Sequence, residues 1–310
     1  MSGAALHHVT AISGPARRNL GFHTGVLGLR LVKKTVNFDD PGTYHLYYGD
    51  AAGRPGSVLT FFPWDHVAPG RVGVGETSQT AFRVPRGSIG WWTQRFVEAG
   101  VPHENPAVRF GETVLAFKDP DGLSLALVGV EGAEAEEAWD GGSVPAEHAI
   151  RGFHGVTLLL DKAAATAAVL TAVFGHREVG REENVVRYSA GDEGYGRFVD
   201  LREVGGFLRG RPGGGSVHHI AFRAADDAAQ AEMARKLVEE HGLGVTEQKD
   251  RNYFRSVYFR EPGGVLFEIA TDEPGFAADE PAERLGEALK LPPFLEPLRP
   301  RIEQRLPALV

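Results

Sequence analysis

The 310-residue chain contains no cysteine. That absence excludes disulfides, zinc–thiolate sites, iron–sulfur clusters and a thiol nucleophile together. Long apolar runs are also missing, none approaching the roughly 18 residues of a membrane-spanning helix. There is no Lys/Arg cluster, and 33 basic against 41 acidic residues leave a net charge of −8. That balance argues against nucleic acid or an anionic membrane as the main partner. Met1–Leu6 leads straight into a strand-like run without the apolar core of a secretory signal, so a cytoplasmic protein is expected. What remains, 42% hydrophobic and 24% charged, describes a globular chain long enough for two domains or a string of repeats. Against this ordinary background stand twelve histidines.

Four segments share one grammar: an apolar strand, a polar cap, a helix of about a dozen residues, a glycine, then short strands. Unit one opens with Leu6–Ile12, with Ser13 as cap, Pro15 in the first turn and Gly28 as stop. Unit two opens with Ser78–Val84, has Ser88 as cap and stops at Gly100. Unit three has Val156–Leu160, Asp161 and Gly175; unit four has Val217–Arg223, Asp226 or Asp227, and Gly242. His8, Gln79, Gly155 and His219 precede their stop glycines by 20, 21, 20 and 23 residues, which favours a true repeat over unrelated segments. The fold class that follows is α+β, built of four β-α-β-β-β modules. The expected division is 1–130 (modules 1 and 2), a Glu/Gly-rich linker at 131–150, 151–280 (modules 3 and 4) and a C-terminal arm at 281–310. In the arm, a short amphipathic helix is expected around Leu285–Leu289, with a second run to Leu306.

The repeats differ where chemistry is possible. Units one and four carry doublets, His7-His8 and His218-His219, where units two and three have Gln79 and Gly155 at the second position. Twelve histidines would give roughly half a doublet by chance. Because side chains alternate along a strand, one histidine of each pair faces a given cavity. His8 shares its face with Thr10, and His219 with the small Val217 and Ala221. The second histidine of each pair is therefore the candidate ligand, and the first a neighbour or packing residue. His218 in particular shares its face with Ile220 and Phe222, which suggests packing against the helix.

The last strand of unit four, Gly264–Ala270, is apolar except for Glu268. A carboxylate there needs a partner, either an arginine or a metal. Two imidazoles from equivalent strands favour the metal. Two His and one carboxylate leave coordination positions open, as in non-haem Fe(II) oxygenases, and Mn(II) could occupy the same set. This requires units one and four to line a common cavity. A rival set, His154 with Asp200, lacks a second imidazole. The turn at Pro262-Gly263 folds Tyr258 back beside Glu268, within about one residue of register. That phenol and the Arg251 guanidinium could orient or protonate an oxygen ligand. His23, His45, His66, His103, His148, His176 and His241 show no partner pattern and read as surface or packing residues.

Taken together, these residues resemble the vicinal oxygen chelate superfamily, and more closely its ring-cleaving dioxygenases of the hydroquinone type. The stretches Tyr44–Asp50, Thr60–Trp64 and Phe254–Thr271 carry the likeness, which runs from Leu6 to about Asp272. The resemblance implies Fe(II) held by His8, His219 and Glu268, surrounded by His7, Thr10, His218, Arg251 and Tyr258. It implies that the four modules form two domains of curved, partly open mixed β-sheet barrels flanked by helices. It also implies an aromatic substrate and O2 as partners, with oxygen inserted beside a hydroxyl-bearing ring carbon. Tyr258, His218 and Arg251 would then move the protons, and a homo-oligomer is expected. Other readings remain open: a catechol-type extradiol enzyme, a metal-dependent isomerase or lyase, or a non-catalytic binding protein of the same fold. An isomerase would be expected to carry a second glutamate where this chain has Thr60.

Overall fold

The computed structural model describes residues 3–309. Unit one comprises β1 (Leu6–Ser13), α1 (Ala16–Leu20), β2 (Arg30–Asn37), β3 (Asp40–Gly49) and β4 (Val58–Pro63). Unit two comprises β5 (Glu76–Pro85), α2 (Ile89–Glu98), β6 (Ala107–Arg109), β7 (Glu112–Lys118) and β8 (Ser124–Val130). Unit three runs through β9 (Gly152–Leu160), α3 (Ala164–Ala172), β10 (Arg177–Glu182), β11 (Val185–Ser189) and β12 (Phe198–Glu203). Unit four runs through β13 (Ser216–Ala224), α4 (Asp227–Glu239), β14 (Lys249–Asp250), β15 (Arg255–Arg260) and β16 (Leu266–Thr271). The β-α-β-β-β grammar therefore holds in all four.

The local reasons are uneven. Gly28, Gly100, Gly175 and Gly242 all adopt positive φ, between 64° and 68°, as helix-terminating glycines do. Of the expected caps, only Asp226 acts as one, accepting from the Ala229 N–H at 2.8 Å. Ser13 ends β1, and Pro15 occupies the cap position of α1 without a side-chain acceptor. The Ser88 hydroxyl bonds the His148 ring and the Glu147 carbonyl, and the Asp161 carboxylate accepts from Gly206. For Ser88 and Asp161, tertiary contacts have claimed the side chain. The arm differs too. Residues 285–289 form no helix; a 3₁₀ turn covers Ala282–Arg284, and α5 (Arg299–Arg305) follows Pro292-Pro293.

Two eight-stranded mixed sheets result, with orders β14-β15-β16-β13-β1-β4-β3-β2 and β10-β11-β12-β9-β5-β8-β7-β6. Unit one thus shares a sheet with unit four, and unit two with unit three. Sheet membership runs across the expected division at 1–130 and 151–280, and puts units one and four at a common cavity as expected. The joins are antiparallel contacts between first strands, β1 with β13 and β5 with β9. Helices and sheets meet in a main apolar core, where Phe174 stacks on Phe222 and Phe82 on Phe153, with smaller clusters beside it. Among the described residues, no helix is long and apolar enough to cross a membrane.

Candidate metal centre

The β1–β13 join positions the site. Its register steps from Leu6↔Phe222 to His8↔Ala221, and from Thr10↔His219 to Ala11↔Val217. His7 and His218 are therefore the extra residues of two symmetry-related β-bulges, which re-aim the side chains beside them. The β5–β9 join has the same two irregularities, at Ser78 and His154. The alignment of His8, Gln79, Gly155 and His219 is thus one of structural position.

The bulges bring His8 and His219 together with their Nε2 atoms 3.3 Å apart. Glu268, on β16 beside Ala221 of β13, places Oε2 2.9 Å from His219 Nε2 and 3.3 Å from His8 Nε2. All three residues are buried. Among the described residues, this is the trio whose His and carboxylate donor atoms converge closely enough to hold an ion. Three ligands at about 2.1 Å and right angles around one ion stand about 3 Å apart, close to these separations. Glu268 Oε2 has no hydrogen-bond partner although it is fully buried, so an unsatisfied acceptor is aimed at the space it shares with the two imidazoles. Burial alone would push the Glu268 carboxyl up; attraction to the facing His8 and His219 rings holds it well below the usual range. Burial pushes the His219 imidazole down, so it is neutral and able to ligate at neutral pH. The residues fit a divalent cation.

Each candidate ligand is held by a neighbour. His8 Nδ1 lies 3.0 Å from His7 Nδ1, and His219 Nδ1 lies 2.8 Å from His218 Nδ1. Ser256 on β15 donates its hydroxyl to Glu268 Oε1. Burial, reinforced by His8, pushes His7 down to about 3, leaving a neutral ring. His218 departs from the expectation of packing against a helix: as a bulge residue it is exposed and lines the cavity, edge-on to Phe62. Tyr258 pairs in register with Glu268, and its hydroxyl accepts from Arg251 Nε at 3.2 Å. Burial, then Glu268, pushes that phenol up, so it stays protonated. Thr10 lies further along β1, its Oγ1 2.8 Å from Thr60 Oγ1.

These groups open onto a cavity of about 370 Å³, whose walls include Phe62, Trp64, Phe254, Tyr47 and His45. Its volume suits a small ligand. His45 corrects the reading of it as a surface or packing residue. Its two ring nitrogens bond Tyr47 and Thr60, and it faces the candidate ligands electrostatically. Sequence reasoning also missed Tyr47, Ser256 and Phe254 as site residues. Continuing the repeat alignment beyond the first strand would have found Tyr47, which occupies in unit one the place of Tyr258.

The other sheet closes the corresponding space. A Cβ on Gly155 would come within 2.3 Å of the Phe198 carbonyl oxygen. Asp200, the counterpart of Glu268, is gripped by Arg187 at 2.8 and 2.9 Å, while His154 bonds Glu112 at 2.9 Å. The rival set of His154 and Asp200 is thus absorbed by other partners.

Residues 5–127 match the family model described as Glyoxalase/Bleomycin resistance protein/Dioxygenase superfamily. The chain is 49% identical over 302 residues to "Putative ring-cleaving dioxygenase MhqO" of Bacillus subtilis (strain 168), spanning 97% of this chain and 95% of that protein. It is 35% identical over 302 residues to "Chlorohydroquinone/hydroquinone 1,2-dioxygenase" of Sphingobium indicum, spanning 94% and 92%. A crystal structure described as a putative dioxygenase from Bacillus subtilis superposes with a TM-score of 0.94 at 47% identity, covering 100% and 98% of the two chains. Glyoxalase I from Zea mays superposes at 0.66 with 13% identity over 87% and 93%, a likeness of fold alone.

Proposed function

The chain belongs to the Glyoxalase/Bleomycin resistance protein/Dioxygenase superfamily, and from that premise we propose that it is an Fe(II)-dependent ring-cleaving dioxygenase of hydroquinone-type aromatics. The observation that carries this reading is the convergence of His8, His219 and Glu268 at a ring-sized, aromatic-walled cavity. The names of the relatives that match nearly the whole chain support it.

In this reading His8, His219 and Glu268 hold Fe(II), with Mn(II) as the other ion the donor set suits. The bound ion would supply two chemical capacities, activation of O2 and stabilisation of an ionised ring hydroxyl. The chain's own residues do the rest. His7 and His218 fix the orientation of the two ligand rings through their Nδ1 contacts, and Ser256 fixes the carboxylate. Phe62, Trp64 and Phe254 give the ring apolar walls and limit water. Tyr258, polarised by Arg251, delivers a proton to developing charge on oxygen. Thr60 stands where a four-ligand isomerase site would need a carboxylate, which favours an open metal face.

The test is O2 uptake by anaerobically prepared, Fe(II)-loaded protein offered hydroquinone or catechol. Uptake should depend on Fe(II), favour hydroquinone and disappear in His219→Ala. Preference for catechol would redirect the substrate assignment; full uptake by His219→Ala would sink the ligand set.

A further inference from the structure

The pseudo-symmetry of the first sheet reaches beyond the ligands. Thr60 pairs with Thr10 as Glu268 pairs with Ala221, and Tyr47 pairs with Thr60 as Tyr258 pairs with Glu268. Tyr47 and Tyr258 are therefore twins that both line the cavity. Their partners are opposite in kind. Tyr258 accepts from Arg251, a group that can only donate, so the Tyr258 proton remains available to the cavity. The Tyr47 hydroxyl instead lies 2.8 Å from His45 Nδ1. His45 Nε2 lies 2.8 Å from Thr60 Oγ1, which lies 2.8 Å from Thr10 Oγ1. The imidazole is sandwiched between Tyr47 and Phe62, with ring centroids 4.1 and 4.3 Å away, and so is held to both hydrogen-bond partners. A phenol that gives its proton to an imidazole offers lone pairs to anything else that reaches it.

We propose that Tyr47, backed by His45, accepts the hydroxyl proton of the aromatic substrate, while Tyr258, backed by Arg251, serves as the donor. The inference rests on the ring-cleaving reading and adds to it the group that ionises the substrate. The substrate O–H bond breaks and its electron pair stays on the ring oxygen. That proton goes to the Tyr47 oxygen as Tyr47's own proton passes to His45 Nδ1. The resulting imidazolium, whose Nε2–H is held by Thr60, returns the proton when the product is protonated. No electron changes hands. Burial pushes the His45 imidazole down and the Tyr47 phenol up, so both are neutral at rest and the proton moves only as the substrate anion forms beside them. The groups facing the pair are His8, His219 and Glu268, with Tyr258 and Arg251.

Two measurements test the pair. In ¹⁵N-histidine NMR of the wild-type protein, His45 should carry its proton on Nε2, with Nδ1 accepting. A proton on Nδ1 would mean that Tyr47 is the acceptor of that bond, and overturns the assignment. In steady-state kinetics, Tyr47→Phe and His45→Gln should each lower kcat/KM on hydroquinone about 100-fold. The deficit should narrow several-fold on hydroquinones bearing electron-withdrawing substituents, whose hydroxyls ionise without help. A deficit constant across that series, or none at all, overturns the proposal while wild-type uptake leaves the ring-cleaving reading standing. Absence of wild-type uptake on every hydroquinone overturns that reading, and the pair's substrate with it.

Discussion

Tyr258 sits directly across the β15–β16 pair from Glu268, and its hydroxyl accepts a hydrogen bond from Arg251. The phenol is thereby fixed beside the carboxylate without contributing a charge of its own. Replacing it with phenylalanine removes one hydroxyl and little packing. Tyr258→Phe is expected to lower kcat about 100-fold, the usual scale for a lost proton donor, with metal content unchanged. Steady-state kinetics with metal analysis of the same samples checks this. Equal losses of metal and activity would make Tyr258 a support for the metal centre instead.

Thr60 is the counterpart of Glu268, fully buried and tied to Thr10 and His45. Thr60→Glu introduces a second carboxylate at the symmetric position. Without metal it buries an uncompensated charge, expected to cost about 3 kcal/mol. With metal it becomes a fourth protein ligand, so the ion should resist chelators better while O2 uptake is lost. Melting curves with and without metal should move in opposite directions from those of the parent. Lower metal affinity in the variant would contradict the symmetry argument.

Acid sensitivity should come partly from histidines away from the site. His23 bonds the Asn19 carbonyl through Nδ1, and His176 bonds the Ala4 carbonyl through Nε2. Burial pushes both down to about 4. Unfolded, each titrates near 6.5. Above that value both states are neutral and nothing is gained or lost. As pH falls from 6.5 towards 4, the unfolded chain takes up protons that the folded chain refuses, so stability declines, by at most about 3 kcal/mol per residue. Denaturant titrations of metal-free protein from pH 7 to 4 should show this decline, and His23→Phe should flatten it. A slope unaffected by that substitution would place the acid sensitivity elsewhere.

Legibility in the sequence followed the range of the interactions. The four units, their stop glycines and the doublets of His7-His8 and His218-His219 were readable because repeats expose differences at equivalent positions. Glu268 was readable as a lone carboxylate in an apolar strand, and Tyr258 through a hairpin whose turn is local. The β1–β13 join links residues more than 200 positions apart and leaves no local mark. The expectation of a common cavity for units one and four anticipated that the two meet, but not the register in which they do. The bulges that bring His218 to the cavity belong to the same join. His45 carries no signal of its own, since its role comes from Tyr47 and Thr60, which meet it only when β3 and β4 pair. Caps failed where side chains found tertiary partners, as Ser88 did with His148.

The C-terminal segment is tied to the cavity wall through Lys33. Its side chain on β2 is fully buried, with Nζ 2.6 Å from Asp279 and also paired with Glu280. Asp279 in turn accepts from the Tyr253 hydroxyl at 2.9 Å. The next residue, Phe254, packs against the His7 and His8 rings, with centroids 5.2 and 4.9 Å away. Removing the cation would leave two carboxylates at the junction without their partner, a change worth about 3 kcal/mol or more. Part of that cost is relieved if the segment from 276 to 289 peels away and hydrates its acids. Tyr253 then loses its acceptor and Phe254 its backing. Lys33→Met should therefore raise hydrogen exchange across 276–289 and raise KM for the aromatic substrate more than it lowers kcat. Adding Glu280→Gln, which removes one of the stranded charges, should restore part of the protection. Exchange that stays at the wild-type level in Lys33→Met would show that apolar contacts such as Leu285 hold the segment without the ion pair.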